Sequence, residues 1–233
     1  MERLKDVSEW YTPERVEADE VLGAATTSGG YYDYAAWIEK VCHEHKLKTV
    51  IEVGCGAGWV PSVLSKGIQY MTGIDSNEHM LAKARARCPN VNFVQQNIRH
   101  LKAPSADLVC CFGVLKHFHL DEWHKILAAV LSLGKYGLFC QHVLMDARAS
   151  VDVPGCDEQG VPQYHDIWVS SKDLTAAVTG AGHRILQLDV GFRWDGAMDA
   201  PEAMIVTEVL PQQSKPKPQP EPKSKPKPVR KKK

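Results

Sequence analysis

At 233 residues, with 44% hydrophobic and 24% charged side chains, the chain is the size of one large domain with appendages and has a soluble globular composition. No apolar run approaches the roughly 20 residues of a membrane span, and Met1–Asp6 lacks the apolar stretch of a secretory signal, so a cytoplasmic protein is expected. The formal net charge of zero hides a split: residues 214–233 hold nine Lys or Arg and one acid, Glu221, against 19 basic and 27 acidic residues in 1–213.

The seven cysteines, at 42, 55, 88, 110, 111, 140 and 156, form no C-x-x-C pair. An odd count without that spacing speaks against a disulfide framework or a zinc knuckle, and Cys110, Cys111 and Cys140 sit in apolar runs as small buried hydrophobes.

In chain order, Thr12-Pro13-Glu14 is a helix start, with Thr as N-cap, Pro at the first helical position and acid in the first turn. After a Ser28-Gly29-Gly30 break, Tyr31 to about His45 reads as a second helix with Tyr34, Trp37, Ile38 and Val41 on its apolar stripe. Residues 1–46 are therefore taken as a helical cap region. From Thr49 the chain alternates. Strands are expected at 49–53, 69–74, 91–95, 106–113 and 136–144, and helices at 59–66, 77–88, 120–133 and 170–180. Residues 145–168, with Pro154-Gly155 and Pro162, read as an inserted loop, and strands at 184–190 and 203–210 close the domain as an antiparallel pair. Continuous apolar strands alternating with helices imply an α/β fold over 47–211, a Rossmann-like three-layer αβα sandwich. Its sheet would have seven mostly parallel strands with an antiparallel last strand. Residues 212–233, rich in Lys and Pro, have no core to bury and are expected to be a disordered basic tail.

The run Glu52-Val53-Gly54-Cys55-Gly56-Ala57-Gly58-Trp59 places glycines where a buried strand turns into a helix, at the sheet edge where open α/β folds bind ligands. Glycine loops there serve several adenosine ligands, and three features choose among them. Trp59 occupies the third-glycine place of the dinucleotide fingerprint, which argues against a pyrophosphate cradle. Glu52 would repel phosphate and suits a cationic group. Asp75, ending the second strand 21 residues after Gly54, can accept both ribose hydroxyls. The pattern fits a nucleoside bearing positive charge.

These residues resemble the class I S-adenosylmethionine-dependent methyltransferases, over roughly Tyr31 to Leu210. The resemblance implies S-adenosyl-L-methionine as cofactor. Glu52 and the backbone of Gly54, Cys55, Gly56 and Gly58 would hold its methionine part, and Asp75 the ribose. Ser76 and Met80 match positions that flank the adenine. Asn97 and Ile98 follow the third strand, where the family commonly has an acid bonding the adenine amino group. Asn97 departs from that pattern, though its side-chain carbonyl can accept the same N–H. Phe112 and His117 fall where family members line the cofactor and face the acceptor, with His117 either a base or a lining residue. Tyr31, after the Gly-Gly pair, is a candidate lid contact. His119, His142 and His165 lie on segments that rim the same mouth without an assigned role. No metal site is expected.

Methyl transfer from a sulfonium needs alignment more than acid–base machinery, so acceptor identity is poorly written in sequence. The absence of Asn/Asp-Pro-Pro-Tyr after the fourth strand disfavours amino methylation of DNA bases. A small-molecule acceptor is favoured. The alternatives are a nucleic acid or protein substrate recruited by the basic tail, which could also hold an acidic partner, or a cofactor-binding scaffold without turnover.

Overall fold

The computed structural model describes residues 12–14, 16–17, 30–64, 68, 70–144, 149–156, 162–192 and 202–211. The tail 214–233, and with it the expected contact to nucleic acid or an acidic partner, lies outside the described residues, as does the side chain of Tyr31. Among the described residues no helix is long and apolar enough to cross a membrane.

Helix α1 (Gly30–His45) leads into strand β1 (Thr49–Val53), whose β-branched residues favour a pleated, buried surface. The glycine loop follows, then the short helix α2 (Trp59–Val63) and β2 (Tyr70–Asp75). Helix α3 (Glu78–Arg87) is capped by Asn77, whose Oδ1 accepts the N–H groups of His79 and Met80 at 2.9 and 3.1 Å. Then come β3 (Asn92–Gln95), β4 (Ala106–Cys111), α4 (Leu120–Leu131) and β5 (Gly134–Leu144). The segment read as an inserted loop is instead a hairpin of β6 (Val151–Cys156) and β7 (Pro162–Ser170). Helix α5 (Ser171–Gly180), capped by Ser170 Oγ on the Asp173 N–H, leads to β8 (His183–Phe192) and β9 (Glu202–Val209).

Strands β3, β2, β1, β4 and β5 lie side by side in parallel register. Beside β5 stands β9, antiparallel to it from Tyr136 to His142 and antiparallel to β8 on its other side. These seven strands form the expected sheet with its antiparallel last strand. The hairpin adds two more. At its carboxyl end β5 passes from β9 to β7, pairing in parallel at Val143 with Val169 and Leu144 with Ser170.

Helices cover both faces. Tyr34, Ile38 and Val41 of α1 pack on Val50, Leu108, Cys110, Leu138, Met204 and Val206. On the opposite face Trp123, Ile126, Leu127, Val130 and Leu131 of α4, with Leu174 and Val178 of α5, pack on Ile51, Val109, Phe139, Val143 and Ile205. The 3.6-residue period of α4 sets that stripe. Three layers result, with the ends of β1, β2, β4 and β5 converging on one edge.

Candidate cofactor and acceptor site

Gly54, Gly56 and Gly58 take φ values of 79, 50 and 76°, a left-handed region that disfavours side chains. Space reinforces the requirement at two of them. A Cβ at Gly54 would stand 2.2 Å from Val114 Cγ2, and one at Gly58 would stand 2.9 Å from Ala84 Cβ. Gly58 thus brings the loop against α3, the close packing that a third glycine provides elsewhere. At Gly56 a Cβ would meet nothing within 4 Å.

Four of the loop's N–H groups are committed internally. Those of Gly54 and Cys55 donate to the Ile74 carbonyl at 2.7 and 3.1 Å, that of Gly56 to Asp75 Oδ2 at 2.9 Å, and that of Gly58 to the Cys55 carbonyl at 3.0 Å. A phosphate cradle works by aiming such groups at the anion. Here they point elsewhere. Cys55 is drawn away from the site as well, its side chain packed with Leu81, Ala84, Cys88 and Phe93, so only its backbone can serve a ligand.

Two carboxylates stand beside the loop. Glu52 is 3% exposed, and its Oε2 has no hydrogen-bond partner among the described residues. Burial, and then the nearby Asp75 charge, push its pKa up to about 8. Burial also raises Asp75, against the pull of backbone N–H bonds from Asn77, Gly56 and Ser76. A buried acid with one oxygen unpartnered among the described residues, beside a second acid and under a loop with four of its N–H groups committed, is an environment suited to a cation.

Beyond β2, a cleft of about 560 Å³ is lined by Ser76, Asn77, Glu78, His79, Gln95, Gln96 and Asn97. Asn97 Oδ1 already accepts the Arg99 N–H at 2.9 Å, capping a turn of 3-10 helix at Ile98–His100. Ile98 is half-buried against the core. Met80 is buried with Ala57 and Val16, so the helical turn begun at Thr12, whose carbonyl accepts the Val16 N–H at 2.9 Å, lies over the loop. Lys83 and Glu17 form an ion pair there at 2.5 Å. From outside, Arg87 bonds the Ala57 carbonyl and stacks its guanidinium 3.6 Å over the Trp59 ring.

At the end of β4, Phe112 stacks on Tyr34 with centroids 4.4 Å apart, and the Gly113 N–H donates to Cys140 Sγ at 3.2 Å. His117 ends the 3-10 turn Leu115–His117, and its Nδ1 lies 2.9 Å from Asp166 Oδ1 of β7. Both side chains are largely shielded from solvent, so a charge on the imidazole would be felt strongly by the carboxylate. His142 of β5 is 4% exposed, with neither ring nitrogen bonded among the described residues. Burial lowers its pKa to about 4, helped by Lys116 and His117 and opposed by Asp166. Glu202, its register partner on β9, is raised by burial.

Comparison with known proteins agrees with this geometry. The profile of a family described as "Methyltransferase domain" matches residues 50–137, from β1 through the glycine loop into β5. Over this stretch the chain is similar to S-adenosylmethionine-dependent methyltransferases. A probable S-adenosylmethionine-dependent methyltransferase of Mycolicibacterium smegmatis is 31% identical over 149 residues, covering 63% of this chain and 56% of that protein. A trans-aconitate 2-methyltransferase of Rhodopseudomonas palustris is 33% identical over 92 residues, covering 37% and 36%. The chain thus spans about half or less of the length of these curated relatives. The solved structure of an S-adenosylmethionine-dependent methyltransferase from Clostridium acetobutylicum superposes with a TM-score of 0.65 at 13% identity, covering 86% of this chain and all of that one, which shows the shared methyltransferase fold.

The structure brings Glu52, Gly54, Gly56, Gly58 and Asp75 together, with Met80 and Ser76 adjoining. Asp166, which sequence reading missed, reaches His117 through the hairpin. His142 was noticed only as a rim histidine, and Val16 and Arg87 were not singled out. Among the described residues no three His, Cys, Asp or Glu are grouped to hold a metal ion.

Proposed function

We propose that this chain transfers a methyl group from S-adenosylmethionine to a small-molecule acceptor bound where β4, β5 and the β6–β7 hairpin meet. The observation that carries the reading is Glu52 Oε2, buried without a partner among the described residues beneath a glycine loop in which the N–H groups of Gly54, Cys55, Gly56 and Gly58 are already committed. Such a site rejects phosphate and favours a nucleoside with cationic character. When bound, the cofactor supplies an activated methyl group on a sulfonium.

The chain's own residues then bind and orient. Glu52 would pair with the α-ammonium of the methionine part, and the open side of Gly56 lets backbone approach it. Asp75 keeps lone pairs for ribose hydroxyls while Gly56 and Asn77 N–H groups fix its orientation. Ser76 and Met80 would flank the adenine, and Asn97, already a cap, would meet it at the cleft edge. Val16 over Met80 and Ala57 shields the loop from water. Phe112 and His117 would face the acceptor. The names of the trans-aconitate 2-methyltransferase and of a ubiquinone biosynthesis O-methyltransferase of Coxiella burnetii, 32% identical over 78 residues, support a small-molecule acceptor.

Isothermal calorimetry with S-adenosylmethionine and S-adenosylhomocysteine tests this directly. Saturable binding is expected for both, abolished in E52Q D75A. No heat at high micromolar ligand refutes the reading.

A further inference from the structure

The cofactor side does not use a second group of buried polar atoms, around the end of β5. Asp166 Oδ1, Gln141 Oε1 and both ring nitrogens of His142 are shielded from solvent and lack hydrogen-bond partners among the described residues. His142 of β5, Asp166 of β7 and His117 after β4 come together from three places in the chain, with His117 Nδ1 2.9 Å from Asp166 Oδ1, whereas Gln141, next to His142, lies on the other face of the sheet and donates to the Ile167 carbonyl at 3.0 Å. Trp168 stands on the same strand as Asp166 with its ring centroid 6.5 Å from that of His142. Lys116, His117 and Asp166 act electrostatically on His142, and Glu202 faces it from β9. Buried polar groups are paired in nearly all folded proteins, and a cluster of exceptions marks a place where a ligand completes the pairing.

We propose that His117, Asp166 and His142 form the acceptor half of the site and that the acceptor is a phenolic hydroxyl compound whose proton His117 takes. The proposal rests on the cofactor reading above. Chemistry selects among acceptors. A carboxylate has no proton to lose and would meet Asp166 as a like charge. An aliphatic hydroxyl is a far weaker acid than a phenol and gives up its proton to an imidazole less readily. A phenol is within reach of one, because a carboxylate beside the ring stabilises the imidazolium that forms. In the transfer step a phenol oxygen lone pair forms the O–CH3 bond as the S–CH3 bond breaks. That bonding pair stays on sulfur, which becomes a neutral thioether, and the phenol proton passes to Nε2 of His117. The neutral imidazole of His142 offers one donor and one acceptor to hold the acceptor's polar substituents, and the Trp168 ring offers an apolar wall.

The test uses full-length protein loaded with S-adenosylhomocysteine and titrated with 4-nitrophenol, at a pH about one unit below that phenol's own midpoint. A base at the site converts bound phenol to its coloured phenolate, so the phenolate band should grow saturably. In H117Q and in D166N the band should fall at least about tenfold, while S-adenosylhomocysteine affinity by calorimetry stays within about twofold. H142Q should raise the 4-nitrophenol Kd about tenfold yet keep the full band at saturation. Normal S-adenosylhomocysteine binding without a saturable band overturns the proposal and leaves the cofactor reading standing. So does a band that survives H117Q or D166N, or tighter binding of benzoate or benzylamine than of the phenol. If both variants also lose S-adenosylhomocysteine, the pair is structural and the proposal falls. If wild type fails to bind S-adenosylhomocysteine, the cofactor reading fails first.

Discussion

Cofactor binding should expel a proton from Glu52. In the empty site burial and the Asp75 charge hold that carboxyl at a pKa of about 8, so at pH 7 it is roughly nine-tenths protonated. An ammonium placed about 4 Å away, at an effective dielectric constant of about 20, favours the ionised form by about 4 kcal/mol, or about three pKa units. Glu52 in the complex would then titrate near 5, and binding at pH 7 would release about 0.9 proton. Calorimetric titrations with S-adenosylhomocysteine in buffers of low and high ionisation enthalpy measure this number as a slope. The difference between wild type and E52Q isolates the contribution of Glu52 from that of the ligand's own amine. Release should shrink to about 0.1 proton at pH 9, where Glu52 is already ionised. Affinity should rise nearly tenfold per unit from pH 6 toward 8 and then level off. A slope indistinguishable between wild type and E52Q at pH 7 would refute the pairing of Glu52 with a cation.

Four further outcomes are expected. Asp75→Ala should weaken S-adenosylhomocysteine binding by about 1.5–3 kcal/mol, roughly 10- to 150-fold by calorimetry, because two accepted hydroxyl bonds are lost. Gly58→Ala should cost about 1–3 kcal/mol in urea unfolding, since the added Cβ meets Ala84 at 2.9 Å with φ at +76°, and a normal midpoint would show the loop can shift freely. His142, lowered to about 4 in the folded state, binds fewer protons there than in the unfolded chain. Stability should therefore fall by up to about 3 kcal/mol as pH drops from about 6.5 to 4, and H142Q should flatten that slope in acid unfolding curves. Removing residues 214–233 should leave S-adenosylhomocysteine affinity within about twofold, because every group assigned to the cofactor lies in the sheet and its loops; a larger loss would place the tail at the site.

The grouping of Glu52, the glycine loop and Asp75 was legible because its parts are close in sequence. A strand, a glycine turn and the acid at the end of the next strand span only residues 52 to 75, and each residue type has a local reason to be there. The expected ends of α3 and α4 moved by only one or two residues, since Asn77 announces one helix and the Trp123-Ile126-Leu127-Val130 stripe marks the other. The grouping of His117, Asp166 and His142 was not legible. Asp166 lies 49 residues from His117, and they meet only because β7 pairs with the tip of β5. The hairpin itself was hidden by Pro154, Gly155 and Pro162, which read as loop punctuation but sit within its paired strands. His142 looked incidental because burial without a partner has no signature in a single sequence. Asn97 shows the reverse: its position suggested a ligand contact, and its side chain also serves as a cap.

Among the described residues the hairpin joins the main sheet by a register of two residue pairs, Val143 with Val169 and Leu144 with Ser170, whereas β9 grips β5 along seven. The element that contributes Asp166 and Trp168 is thus hung on the sheet's rim rather than woven through it. A lineage could lengthen, shorten or replace it without disturbing the glycine turn or the strands beneath. Divergence in what is methylated should then concentrate in residues 145–170, while the donor half stays still.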